Sequence, residues 1–562
     1  MSDAVPSLST ELRGLEPLRP AERIVLRACL GGQIAKVSYR RPAAATADVT
    51  VRAEFLARLA RGGVGFRLVS RRIEILGAWI TGRLNLVDAS VPMSLWMYRC
   101  VFDTTPLLDG ARIVGSVGLP DCQLPGLRAE SCTIAGDLSI GPGCEIAGDV
   151  RLSRTEIGRN LVCDRLTLRG PGPTPGSELA PAPARLRRPL VADGLRTGGD
   201  VVFGHGLVVD GELRLVGARV GGDLRFGRTC IGASPGDGGV RGTALNLDRI
   251  RIGGSARLDA GLVVAGTVRL QGARIEGDLD VSGALFDKVG DASWGDAAVL
   301  LLERARIGGQ LALRGLRSPL RGASLADARV GALLDDASTW GDRLVLDGFF
   351  YARLAPGAPT DAEFRADWLR RQVGAHLGRD FRHGPWRHAI RVLRHQGREL
   401  SARRLAIHRE EHLRRIGQVG AGRPAWSRAL ALAAHRAYGA VAGYGHRPQR
   451  LVALTVALWL ACGVAYLGAA EQGAMAPVGH ACAPECVPGA VTATAFRPFV
   501  YSLDQMVPGV DLHEASAWTP VTTGRWAGLA RLLAWLEPLL GAAALATLLA
   551  SWSGLTDRDR RR

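Results

Sequence analysis

Between Ile75 and Phe350 one short phrase recurs, and it restricts what the chain can fold into more than any other feature. It reads GAWITGRLNL at Gly77, GARIVGSVGL at Gly110, SCTIAGDLSI at Ser131, GARVGGDLRF at Gly217, GARIEGDLDV at Gly272 and RARIGGQLAL at Arg304. Its central apolar residue steps through Ile80, Val91, Phe102, Ile113, Leu124, Ile134, Ile146, Ile157 and Leu168, ten to twelve residues at a time. The count resumes at Thr197, Val209, Val220 and Ile231, then at Ile252, Val264, Ile275 and Phe286, and last at Ile307 and Val330. A short fixed period is the mark of a solenoid, whose repeats bury their apolar faces against their neighbours.

Alternation within the phrase gives the element type. A small or apolar residue precedes the centre by two, as at Ala78, Ala111, Cys132, Cys144, Ala218 and Ala273. Aliphatic residues follow it by four and six, as at Leu84 and Leu86, Leu138 and Ile140, and Leu279 and Val281. Period two is the period of a strand. Glycine recurs two after the centre, at Gly82, Gly115, Gly136, Gly222, Gly254, Gly277 and Gly309, which marks a corner or a close backbone approach. The expected fold class is mainly β, with a right-handed parallel β-solenoid over residues 73–352 and coils stacked about 4.8 Å apart. One or two repeats could make a coil; two gives the roomier core and is preferred.

Outward positions are polar. Arg112, Arg219, Arg251, Arg274, Arg306 and Arg329 precede the centre, while Asp137, Asp149, Glu212, Asp223 and Asp278 follow it by three. Arg151, Arg214, Arg225, Arg257 and Arg269 follow it by five. Stacking turns these into ladders, read either as a solvated face of weakly coupled ion pairs or as a docking rail for an anionic partner.

The 562 residues exceed one domain, and the 72 glycines follow from the repeat. Net charge is +18, carried almost wholly by arginine, since lysine occurs only at Lys36 and Lys288. Cys100, Cys122, Cys132 and Cys144 fall in the inward column that alanine fills elsewhere, so they read as core packing. Residues 1–72 form an expected N-terminal helical cap, with helices over Pro20 to Ala35 and Val51 to Arg61 covering the open end of the solenoid. No continuous apolar core of a signal peptide lies in residues 1–30. Pro-rich residues 170–188 and Gly-rich residues 232–242 read as excursion loops. The second holds Gly-Ala-Ser-Pro-Gly, which lacks the following helix that a nucleophile elbow needs.

A basic helical region spans 360–450. Thr360 and Glu363 form an expected capping box. Residues 386–415, broken at Gly397, read as a helical hairpin resembling a single tetratricopeptide-like unit. His408-Arg-Glu-Glu-His412 matches the inverted zinc-protease pattern, with no third ligand apparent, so a solvated helix face is the expectation. Residues 451–470 contain no charge and are long enough to cross a bilayer, and 532–552 form a second such segment, interrupted at Glu537-Pro538. Arginines precede the first (Arg447, Arg450) and follow the second, in the basic tail 553–562. Both flanks are therefore expected in the cytoplasm, giving a two-pass plasma-membrane protein with residues 471–531 outside. That loop contains His480, Cys482 and Cys486, read as a candidate Cys482–Cys486 disulfide or, second to it, a reduced metal site, and an amphipathic segment 494–512 with Phe496, Phe499, Val500, Leu503 and Met506 on one face. The segment either lies on the outer leaflet or re-enters the membrane, as in the pore loop of two-helix cation channels, although the potassium-channel filter sequence is absent. Glu537 is the candidate membrane site; it is either functional or close enough to the outer interface to reach water.

Helical cap, GARIxGDLxL repeats, a WRxxxxVLRxQGRExxAR hairpin and two membrane helices around YSLDQMVPGVDL together resemble a family of actinobacterial membrane proteins. Its members often carry the label membrane-associated oxidoreductase. The resemblance implies no catalytic residue, and neither a dinucleotide fingerprint nor a Cys-x-x-Cys occurs to support the label. The expected function is a non-enzymatic, membrane-anchored scaffold or interaction protein without cofactors. Its expected partners are anionic lipid at Arg403, Arg404, Arg414 and Arg415, and a protein or a second copy of the chain, but not nucleic acid. The alternatives are a channel- or transporter-like protein with a solenoid sensor and, by label only, an oxidoreductase.

Overall fold

A computed structural model describes residues 14–62, 71–168, 188–232, 242–259, 261–286, 299–378, 380–422, 424–445, 447–478, 495–521 and 525–552. The chain forms two compact units, Met1–Gly397 and Arg398–Arg562.

The first unit is a parallel, solenoid-like stack of short strands. Each coil takes two of the eleven-residue repeats, because successive centres alternate between two separate strand columns. One column runs in register through Val91, Ile113, Ile134, Ile157, Thr197, Val220, Ile252, Ile275, Ile307, Val330 and Tyr351. The other runs through Val51, Ile80, Phe102, Leu124, Ile146, Leu168, Val209, Ile231, Val264 and Phe286. The aliphatics that follow the centres make two further columns, one through Val117, Leu138 and Leu161, the other through Leu127, Val150 and Leu190. All of these positions are buried in the interior.

The cysteine column behaves as core. Cys100, Cys122, Cys132, Cys144 and Cys163 are buried free thiols. Burial pushes the Cys132, Cys144 and Cys163 thiols up to about 12, which leaves them inert at neutral pH.

Asp149 and Asp223 form the surface ion pairs expected, with Arg151 and Arg225 at 2.6 and 3.0 Å, but Asp137, Asp223 and Asp278 also bond the next coil. Ser94, Ser116, Asp137, Asn160, Asp200, Asp223, Ser255 and Asp278 occupy successive coils. Each offers a side-chain oxygen to the backbone N–H one coil further on, at 2.6–3.1 Å. The recurrent glycine follows from this contact. A Cβ on Gly199, Gly222, Gly254 or Gly309 would overlap the acceptor oxygen of Asn160, Asp200, Asp223 or Asp278.

The insertions in the repeat all fall, in sequence, between strands of the same two columns. Leu168 and Leu190, Gly232 and Thr243, and Phe286 and Leu300 bracket them. The Gly-Ala-Ser-Pro-Gly stretch falls almost wholly outside the described residues.

Helices α1 (Pro20–Gly31) and α2 (Ala53–Ala60) lie at the N-terminal side. They are shorter than the sequence suggests, because Ala35–Lys36 and Thr50–Arg52 join the first coil as strands. Glu22 of α1 is fully buried and takes the Arg52 guanidinium at 2.7 and 2.8 Å and the Arg19 and Arg52 backbone N–H groups. At the other end stand α3 (Ala362–Arg370), the short α4 (Gly374–Leu377) and α5 (His383–His395). The N-cap of α3 is Asp361, which accepts from Phe364 N, rather than Thr360. Arg365 forms a fully buried bidentate pair with Asp335 at 2.8 Å, and Trp340 Nε1 donates to the same carboxylate.

The second unit contains α6 (Glu399–Arg415), α7 (Ala425–Ala442), α8 (Pro448–Glu471), α9 (Pro498–Met506), the short α10 (Glu514–Ala517) and α11 (Arg525–Trp552). Gly397, at φ 72°, separates α5 from α6 and is the last residue of the first unit, so the two arms of the expected hairpin belong to different units. Two helices, α8 and α11, are long and apolar enough to cross a membrane.

The ladder makes a coupled prediction. Asp200→Ala removes the acceptor of the Asp223 N–H and costs about 1–3 kcal/mol. Gly222→Ala destabilises the wild-type chain more than it destabilises Asp200→Ala, because its Cβ meets the Asp200 carboxylate. Thermal unfolding of the detergent-purified chain reads this cycle; strictly additive effects would sink the explanation. The Ser255 N–H first, and the Arg225 guanidinium after it, hold Asp223 below the usual carboxylate range. A carboxyl depressed in the fold stabilises above its unfolded value near 4, and that stability is lost as pH falls through the lower folded value.

Candidate functional site

Glu537 sits in the middle of α11, followed by Pro538, whose ring lacks the N–H that the helix would bond one turn back. Its side chain does not reach water; the residue is 1% exposed. Its Oε2 accepts from the Tyr466 hydroxyl of α8 at 3.0 Å, and its Oε1 accepts from the Ser502 hydroxyl of α9. The Cys462 thiol, one turn before Tyr466 on the same face of α8, is a further neighbour of the carboxyl. One carboxyl therefore ties three helices together.

Helix α9 is held by close packing on both sides. Trp459 Nε1 of α8 donates to Phe499 O at 2.9 Å, and a Cβ on Gly463 would overlap the Phe499 ring. A Cβ on Gly541 of α11 would overlap Met506 O. Tyr501 stacks edge-on to Tyr466 with ring centroids 4.8 Å apart. The buried residues of α9 are thus Tyr501, Ser502 and Met506, a face turned from the purely apolar one that the sequence suggests. Polar side chains face inward because Glu537 waits there.

After Pro508-Gly509 the chain turns back. The Asp504 carboxylate accepts from Leu512 N and Ala515 N, both at 2.8 Å, and so fixes the return. The carbonyls of Pro508, Gly509, Val510 and Asp511 accept no backbone hydrogen bond among the described residues. Residues 518–520 then pair antiparallel with Met475–Pro477, just past the end of α8. A cavity of about 200 Å³ lies beside the turn, lined by Thr455, Trp459, Leu503, Pro508, Gly541 and Leu545.

The other candidates fare differently. His480, Cys482 and Cys486 lie outside the described residues. Arg403 pairs with Glu399 at 2.9 Å, Arg414 contacts the Tyr444 hydroxyl at 3.4 Å, and Arg415 stands 4.0 Å from Glu411; Arg404 is exposed. His408 faces Glu411 at 3.7 Å and Glu410 faces His435 at 3.5 Å. Among the described residues no group of three metal-binding side chains forms. Comparison with known proteins finds no matching family model, curated protein or solved structure.

Tyr466, Ser502, Cys462, Gly463, Gly541 and Asp504 escape sequence reasoning. The available signal was polar residues at helical spacing, Cys462 and Tyr466, inside a charge-free span.

Replacing Glu537 with Leu strands the buried Tyr466 hydroxyl, at about 1–3 kcal/mol, and leaves Ser502 only its 3.4 Å bond to Trp459 O, whereas Glu537→Gln keeps one acceptor and costs less. Gly541→Val unseats α9. Melting temperatures in detergent should rank wild type above Glu537→Gln and Glu537→Gln above Glu537→Leu. In Gly541→Val, protease should cut the 507–512 turn faster. An unchanged melting temperature for Glu537→Leu would remove the carboxyl from this role.

Proposed function

We propose that several copies of the second unit assemble into a membrane-spanning conduction path of pore-loop type, with the solenoid as its cytoplasmic sensing or docking domain. One observation carries this reading. A half-length helix, α9, is seated between two apolar helices of membrane-spanning length, and a non-helical return segment runs beside their middle. If α8 and α11 cross the bilayer, then Trp459, Glu537 and Gly541 lie near mid-depth and α9 is a re-entrant helix. Irregular backbone at that depth is tolerated only where protein buries it or where it lines water. In a single chain the segment is bare: Val510 is 47% and Leu512 40% exposed, and Asp511 and His513, paired at 2.8 Å, are more so. Further copies around a symmetry axis supply the missing cover. The bare carbonyls and the Asp511 carboxylates then face a shared path and favour cations.

Both ends of this unit lie in the cytoplasm, a reading that the arginine flanks of α8 and α11 support. The stack coils right-handedly, as crossovers between parallel strands do, with α1 and α2 closing its first coil and α3 and α5 its last. Arg404 and Arg415, the more exposed of the four juxtamembrane arginines, meet anionic headgroups.

Purified protein in planar bilayers should pass cation-selective current, and Asp511→Asn should reduce that selectivity. Silent bilayers with verified insertion, or a chain that stays monomeric on cross-linking in membranes, would overturn the reading and leave a membrane-anchored scaffold. That second reading draws on the outer face of the stack.

A further inference from the structure

Six arginines occupy consecutive coils of one strand column, each one position before its buried centre. Register sets Arg196 beside Arg219, followed by Arg251, Arg274, Arg306 and Arg329. All six are exposed. Arg196 is tied to Glu156 at 3.4 Å. The other five form no ion pair and no side-chain hydrogen bond among the described residues. Strands in register stand about 4.8 Å apart, so the backbone holds five like charges within about 20 Å. At that separation each neighbouring pair repels by about 1 kcal/mol in water.

Beside the row runs an empty lane. The outward position just after the centre is Gly198, Gly221, Gly253, Gly308 or Gly331 on successive coils, with Glu276 as the exception. A Cβ on any of these glycines would overlap a backbone carbonyl of the preceding coil, so the floor of the lane is bare main chain. Arg249 and Arg304, both exposed and both at positive φ, stand two residues before Arg251 and Arg306.

We infer that this row is a binding site for an unbranched polyanion without bases, a linear polyphosphate chain. The cations stand in single file and regularly spaced, which suits a thread of charge rather than a flat lipid surface. Guanidinium groups bind phosphate oxygens through directed hydrogen bonds. A glycine floor admits a chain that carries no bulky substituents. Single-stranded nucleic acid is bound through aromatic platforms as well as charge. Along both outward positions the only aromatic side chain is Phe350, at the end of the row. The site does not depend on conduction by the second unit.

The test uses the full chain in detergent and fluorescence anisotropy of end-labelled polyphosphate over a range of salt. The triple variant Arg251→Gln, Arg274→Gln, Arg306→Gln should bind roughly tenfold or more weakly, with a shallower salt dependence as fewer counterions are released. The triple Arg→Lys variant, which keeps the charge but loses the directed guanidinium bonds, should bind with an affinity between those of the wild type and the glutamine variant. Glu276→Gln, which removes the one carboxylate in the lane, should strengthen it and is independent of any folding defect in the triple variants. Unchanged affinity in a folded triple glutamine variant, or no gain in Glu276→Gln, would overturn the assignment. So would tighter binding of oligothymidylate or of anionic vesicles than of polyphosphate at equal charge concentration.

Discussion

The first unit depends on one contact repeated along its length, a side-chain oxygen that accepts the N–H of the residue one coil further on. From Ser94 to Asp278 the acceptor changes between hydroxyl, carboxamide and carboxylate, but its place does not. A stack of two-residue strands has few backbone bonds per turn to hold its register. The added bond fixes the corner between two columns in the coils from Ser94 to Gln310. It also dictates the neighbouring residue, because the acceptor fills the space where a Cβ would stand. In this column the Gly-Asp of the repeat is therefore one device, with the glycine making room and the aspartate closing the bond.

Restrictions on the stack also shape its surface. Carboxylates used as acceptors cannot swing out to neutralise the arginines before the centre, and glycines on the other side of the centre offer nothing to pair with. From Arg219 to Arg329 the row has no ion-pair partner among the described residues, for the same reason that the coil is regular. At both sides of the stack the chain turns instead to buried Arg–acid pairs, Glu22 with Arg52 and Asp335 with Arg365, whose partners lie 30 residues apart. Each carboxylate there also takes further donors, which a buried charge requires.

Much of this was legible in the sequence, and the gaps have physical causes. The eleven-residue step and its inward columns were plain, because burial tolerates only small or aliphatic side chains there. The number of repeats per coil was not decided by the pattern, since both halves of a coil follow the same rule and differ only in which column they join. The aspartates looked solvated because exposure and hydrogen bonding to the next coil leave the same spacing. In the second unit, length and hydropathy marked α8 and α11. The partners of Glu537 stayed hidden, as Ser502 and Tyr466 lie 35 and 71 residues away and no period links them. The cap of α3 was misplaced by one residue because Thr360 and Asp361 are both good caps, and only the backbone angle at Asp361 distinguishes them.

The two units settle their backbone groups in opposite ways, and the contrast bears on where each can act. In the stack, the main-chain groups of one coil are taken up by its neighbours, so only side chains remain to meet a partner. In the helical unit, α8, α9 and α11 satisfy themselves, and Asp504 covers two N–H groups of the return segment. The carbonyls from Pro508 to Asp511 are left over. The segment that carries them is exposed in a single chain, so these acceptors are open to water or to a partner. Glu537 holds α9 in place from within, Gly463 and Gly541 let it approach, and the turn at Pro508-Gly509 presents the unpaired carbonyls. The buried carboxyl thus holds α9 between α8 and α11 through Tyr466 and Ser502.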